Sequence, residues 1–151
     1  MLSDVSVFAR LAISAFLGGL IGVERQWHRC NAGLRTHILV SLGSCLIMLT
    51  SVYVSDIYSG ITKSDPARIA AGVITGIGFL GAGTIIRDSE GVRGLTTAAS
   101  LWVVAGIGLA AGCGFYSAAA FTAVVALVVL VLLRLVENKY FLKYKNDKCE
   151  K

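Results

Sequence analysis

Proline is nearly absent from this 151-residue chain; Pro66 is the only one. Charge is scarce as well. Only 15% of residues are charged, against 56% in the hydrophobic set, so long uncharged runs dominate and an ordinary soluble domain is excluded. Five such runs emerge below, and no Asp, Glu, Lys or His lies in the middle of any of them. Ion and proton pathways commonly place an ionisable group there. That weakens a transport path through one subunit and leaves carbonyl-lined or oligomeric pores open. The four cysteines, Cys30, Cys45, Cys113 and Cys149, form no C-x-x-C pair and read as free thiols. No phosphate-binding G-x-x-x-x-G-K-[ST] occurs. Gly76, Gly78 and Gly81 mimic G-x-G-x-x-G, but inside an apolar helix with no preceding strand. His28 and His37, nine apart, match no metal-ligand spacing, and His37 reads as an interfacial residue. Residues 1–27 do not fit a secretory signal: Asp4 and a late Arg10 replace a basic start, and Glu24-Arg25 ends the run without a small-x-small site.

What is present is membrane-spanning sequence. A helix needs about 20 mostly apolar residues to cross a bilayer. The predicted spans are Val5 to Val23, Thr36 to Ser55, Ala67 to Ile86, Leu95 to Gly112 and Phe115 to Leu135. Arg10 must snorkel or meet a partner group. Asp65-Pro66 suits the start of the third span, because Asp caps free N–H groups and Pro is tolerated at the first helical position. Tyr53, Tyr58, Tyr116 and Tyr140 fall near span ends, where aromatic belts form; Trp102 falls inside the fourth span and is expected to pack against a neighbour. The net charge of +5 would suggest nucleic acid in a soluble protein. Here six of the fourteen basic residues lie in the last eighteen positions, after an apolar span, which points to the cytoplasmic side and anionic lipid.

Glycine is abundant within the spans. Gly18 and Gly22, Gly72 and Gly76, and Gly108 and Gly112 are each four apart, with Gly83 seven beyond Gly76. Residues four apart share a helix face, so each pair forms a smooth surface for another backbone. Gly78 and Gly81 point elsewhere and raise a second contact or a broken helix. A leucine at Gly76 is therefore expected to disturb packing more than Leu130→Ala does. A second cluster is polar. Glu24 and Arg25 end the first span, Arg35 and Thr36 open the second, Arg87, Asp88, Glu90 and Arg93 fill the loop after the third, and Thr96 and Thr97 open the fourth. The topology puts all of them at one face, with Asp65 and Arg68 opposite. Such a set can form ion pairs between spans, a phosphate site or a docking face, or act only as an orientation signal.

The same residues carry a family resemblance. Gly19-Leu-Ile-Gly22-Val-Glu24-Arg25-Gln26, Ala32-Gly33-Leu34-Arg35-Thr36-His37, Asp65-Pro66-Ala67-Arg68-Ile69-Ala70, Gly76 to Gly83, and Val92 to Ala99 followed by Leu101-Trp102 resemble, in order, blocks of the MgtC/SapB family of bacterial membrane proteins. The resemblance covers roughly residues 10–130. It implies an inner-membrane protein linked to growth at low magnesium and, in pathogens, to survival in host cells. Members were first named magnesium transporters and are now viewed more often as regulators acting on the membrane ATP synthase and other membrane proteins. Some members carry a C-terminal ACT-like domain; this chain is expected to be of the short, membrane-only type.

The expected fold is therefore all-α and polytopic, with about five transmembrane helices over residues 1–136 and a basic cytoplasmic tail over 137–151. The expected role is a non-catalytic regulator in low-magnesium or envelope-stress adaptation, the alternative being a magnesium channel or transporter. No cofactor and no nucleic acid are expected; magnesium enters only through the resemblance, and no metal ligands can be named. A homo-oligomer or another membrane protein is the expected partner. The first loop, the third loop and the C-terminal stretch counted from Arg134 hold three, two and six basic residues, eleven in all, against three (Arg10, Lys63 and Arg68) on the other side. The positive-inside rule then puts the N-terminus outside. A reporter active only in the cytoplasm is expected to work when fused after Lys151 and to be silent after Ser59; the reverse pattern would invert the topology.

Overall fold

The computed structural model describes residues 3–58, 65–89 and 91–136. The basic tail 137–151 with Tyr140 and Cys149, and also Lys63 and Glu90, lie outside the described residues. The protein is a helical membrane fold. Helix α1 spans Asp4–Trp27, α2 Leu34–Tyr58, α3 Ala67–Ala82 and α4 Leu95–Cys113. Helix α5 begins at Tyr116–Val128, passes through one π turn at Val129–Leu133 and continues over Arg134–Val136. Four of these helices are long and apolar enough to cross a membrane. Helix α3 is apolar but has only 16 residues, about 24 Å at ~1.5 Å per residue.

The third span was expected to run to Ile86, because Thr84-Ile85-Ile86 continues its apolar character. Instead the helix ends at Ala82, and β1 (Ile86–Asp88) pairs antiparallel with β2 (Gly91–Arg93) in a small exposed hairpin. Ile85 and Ile86 are β-branched and suit extended backbone. The turn back into α4 needs Gly94, at φ +91°, where any Cβ would collide with the Thr84 carbonyl. Helix α3 itself is unbroken across Gly76, Gly78 and Gly81.

Local chemistry ends the other helices. Ser3 caps α1, and the Asp65 carboxylate accepts from the Ala67 N–H at 2.8 Å to start α3. Gly114, left-handed at φ +89°, closes α4, with the Phe115 N–H returning to the Ala110 carbonyl. Arg10 completes that end: its Nη1 donates to the Gly112 carbonyl at 2.7 Å. The cation in the first span is thus held by a helix C-terminus, where positive charge is favoured.

Helices α1, α2 and α4 form the centre, with α3 packed on α2 and α4, and α5 on α1 and α4. Contact at the centre is backbone-close. A Cβ at Gly18 would stand 2.6 Å from Ser41 Cβ, and one at Gly22 2.8 Å from Leu34 Cα. At Gly112 it would meet the Cys45 carbonyl at 2.7 Å, and at Gly108 it would collide with the Ser41 carbonyl. Two serines join α1 to α2 there: Ser14 Oγ donates to the Ser41 carbonyl and Ser41 Oγ to the Ser14 carbonyl, each at 2.8 Å. Leu17, Ile21, Val104, Ile107, Ala119 and Ala123 fill the space toward α5. Val73, Ile77, Leu101 and Ala105 join α3 to α4.

Two packing expectations are corrected. Among the described residues Gly72, Gly76 and Gly78 have nothing within 4 Å of an added Cβ; for Gly72 and Gly76 this is because the α2–α3 interface opens into a groove on their face. Trp102 is half exposed, because the face of α4 turned to its neighbours carries Leu101, Val104 and Ala105 instead. The order of sensitivity therefore moves from Gly76 to Gly108. Gly108→Val is expected to lower unfolding stability in detergent by ~2–3 kcal/mol, the upper range of overpacking costs, while Gly76→Leu leaves it nearly unchanged. Equal losses in a thermal melt would contradict the α2–α4 contact.

Candidate functional site

One end of the bundle gathers buried charge. Along α1 the residues Leu17, Ile21, Glu24 and Arg25 are all buried, at the three- and four-residue steps that keep one helix face inward. The same stripe that packs the core thus carries an acid and a base inside at its last turn. The Glu24 side chain is only 7% exposed. Its Oε1 accepts from Arg134 Nη1 at 3.0 Å and lies 3.1 Å from His28 Nδ1. Arg25 is buried against α4, where its Nη2 donates to Thr97 Oγ1 at 3.3 Å; its Nη1 is 3.7 Å from Glu24 Oε2. The first, fourth and fifth helices are joined at this end by polar contacts.

Arg134 arrives at Glu24 because of the π turn that directly precedes it. One extra residue in a helix turns everything beyond by about 100°. From sequence Arg134 counted only as a tail charge; an irregular turn in the run Val128 to Leu133 leaves no compositional mark. A second contact was missed for a different reason. His37, read as interfacial, is fully buried. Its Nδ1 lies 2.8 Å from the Gly33 carbonyl and its Nε2 3.1 Å from Ser100 Oγ. The Nδ1–H donates to the Gly33 carbonyl, and the contact of Nε2 with Ser100 Oγ, whose proton goes to the Thr97 carbonyl at 2.8 Å, ties α2 to α4. The spacing His37, Ser41, Ser44 and Cys45, all buried, was a readable signal of an inward polar stripe.

The remaining expected residues fall in three places. Arg35 and Thr36 line one end of the α2–α3 groove. Thr96 lines a smaller hollow of about 280 Å³ between α4 and α5. Arg87, Asp88 and Arg93 stand exposed on the hairpin, with Arg93 Nε 3.7 Å from Asp88 Oδ2. At the opposite end Asp65 caps α3 and Arg68 is exposed. Gly81 faces Ala98 of α4, and Gly83 sits just past the end of α3.

Magnesium favours oxygen ligands, usually carboxylates with retained waters. Among the described residues Glu24 is the one buried carboxylate, and it is surrounded by Arg134, Arg25 and His28. Nor does any group of three His, Cys, Asp or Glu among the described residues converge. That setting does not suit a resident divalent cation.

These features define a multi-pass α-helical membrane protein whose interior charges join helices to one another. The chain belongs to the MgtC family, whose model matches residues 11–139. Over 141 residues it is 43% identical to the Escherichia coli (strain K12) protein named "Putative magnesium transporter YhiD", covering 89% of this chain and 66% of that one. Over 124 residues it is 45% identical to "Protein MgtC" of Salmonella typhimurium (strain LT2), covering 82% of this chain and 51% of that one. The chain thus spans about half to two thirds of the length of these curated relatives. No solved structure matches.

Removing Arg134 alone leaves a buried carboxylate with one cation fewer. Arg134→Gln is expected to cost ~2–3 kcal/mol, below the ~3–5 kcal/mol of a fully buried pair because Arg134 is 28% exposed. The double variant Glu24→Gln/Arg134→Gln should recover most of that. A thermodynamic cycle giving a coupling under about 0.5 kcal/mol would remove the interhelical ion pair from the account.

Proposed function

We propose that this protein is a non-catalytic regulator in the bacterial inner membrane, serving adaptation to low magnesium or envelope stress by contact with another membrane protein. The N-terminus lies outside and the hairpin faces the cytoplasm in this reading. Its main support is the closed centre: α1, α2 and α4 meet backbone to backbone at Gly18, Ser41 and Gly108. An ion crossing a single copy would have to part those contacts and the Ser14–Ser41 hydrogen bonds beside them. The exposed hairpin offers Arg87, Asp88 and Arg93 to a partner at the same end as the buried charges. Arginine there presents a planar fork that lysine cannot copy. The second reading, magnesium transport, draws its support from the name given to the Escherichia coli relative.

Two measurements separate the readings. Purified protein in proteoliposomes is expected to give no magnesium flux above empty vesicles. In a low-magnesium growth assay the wild type should complement a deletion strain, and Arg93→Lys should fail while still reaching the membrane. Saturable magnesium flux would favour transport, and full complementation by Arg93→Lys would leave the hairpin charges as orientation signals.

A further inference from the structure

Helices α2 and α3 enclose a groove of about 820 Å³ between them. Its floor is made smooth by Gly43, Gly72 and Gly76, none of which has anything among the described residues within 4 Å of an added Cβ. Aliphatic side chains such as Leu39, Ile47 and Ile69 form its walls. Along α2 it runs from Arg35 to Ile47, roughly 18 Å at ~1.5 Å per residue. That is close to the depth of one leaflet, half of a hydrocarbon core about 30 Å thick.

Charge sits at one end only. Arg35 and Thr36 line the groove where α2 begins and are exposed. Among the described residues no hydrogen bond or ion pair engages the Arg35 guanidinium. The Leu34 N–H is already taken by Gln26 and the His37 N–H by Gly33, while no backbone carbonyl among the described residues takes the Arg35 or Thr36 N–H at the positive end of the helix. An apolar channel one leaflet deep, headed by a cation, a hydroxyl and a helix N-terminus, has the shape and charge of one particular kind of molecule. A partner helix would call for a groove crossing both leaflets.

We infer that this groove is a binding site for an anionic phospholipid, with one acyl chain lying over Gly43, Gly72 and Gly76 and the phosphate held by Arg35 and Thr36. The site is separate from the Glu24–Arg134 contact and does not depend on whether the protein regulates or transports.

Native mass spectrometry of the full chain, released from a non-ionic detergent, tests it. Protein is incubated with dioleoyl phosphatidylglycerol, dioleoyl phosphatidylcholine or inorganic phosphate. One saturable phosphatidylglycerol adduct is expected, held about tenfold more tightly than phosphatidylcholine. Arg35→Gln should erase that preference, and Gly76→Phe should remove the adduct of either lipid. If circular dichroism shows Gly76→Phe unfolded, Gly72→Phe takes its place, since that position is equally open. Equal retention of the two lipids by the wild type would overturn the proposal. So would an undiminished adduct in the phenylalanine variant, or displacement of phosphatidylglycerol by millimolar phosphate alone. A dimer that Gly76→Phe converts to monomer would assign the groove to a second copy instead.

Discussion

Helix α2 touches α1 and α4 through backbone atoms, and the crossing at Ser41 organises everything around it. Lipid tails are as apolar as leucine, so burial of side chains does not by itself draw helices together in a bilayer; close contact and interhelical hydrogen bonds must. Here the reciprocal Ser14–Ser41 pair supplies the hydrogen bonds. Gly18 and Gly108 let the neighbouring backbones approach Ser41 from two sides. Each serine hydroxyl has one proton and donates it to the opposite carbonyl, so both helices share an acceptor that a lone helix would leave to its own backbone.

That crossing sets where charge can go. With α1 held against α2, its inward stripe continues from Leu17 and Ile21 to Glu24 and Arg25, and the acid and base enter the protein at the bundle end. Burying them is tolerable because partners come from two other helices: Thr97 at the start of α4 and Arg134 beyond the π turn of α5. Helix α3 stands apart from this arrangement. It is short, leans on α4 through Val73 and Ile77, and leaves its glycine face beside an open groove. The molecule therefore divides into a tightly joined centre and a side available to lipid or to other proteins.

Much of this was legible before any coordinates. Five spans were expected from apolar length, and four of the helices are long and apolar enough to cross, because a bilayer imposes a minimum that few other constraints mimic. The end of the third was misplaced because Ile85 and Ile86 are as apolar in a strand as in a helix. A pair of glycines four apart tells that a helix face is smooth and not what lies against it. Gly18, Gly22, Gly108 and Gly112 meet α2, whereas Gly72 and Gly76 meet nothing among the described residues. Glu24, Arg25 and Thr97 were grouped from topology and do come together. Arg134 was not grouped with them, since the extra residue that turns it inward is invisible in a run of valine and leucine. Arg87 and Arg93 were grouped with the others by loop position, but a hairpin carries them outward.

The geometry at Ser14 and Ser41 can be measured directly by disulfide formation in native membranes. Ser14→Cys and Ser41→Cys would be combined in a chain whose Cys30, Cys45, Cys113 and Cys149 are replaced by alanine, then oxidised under mild conditions. The two serine oxygens lie 2.9 Å apart, so near-complete cross-linking within a single chain is expected. A pair that stays reduced, or links only between two copies, would contradict the close α1–α2 crossing on which the rest of the structure depends.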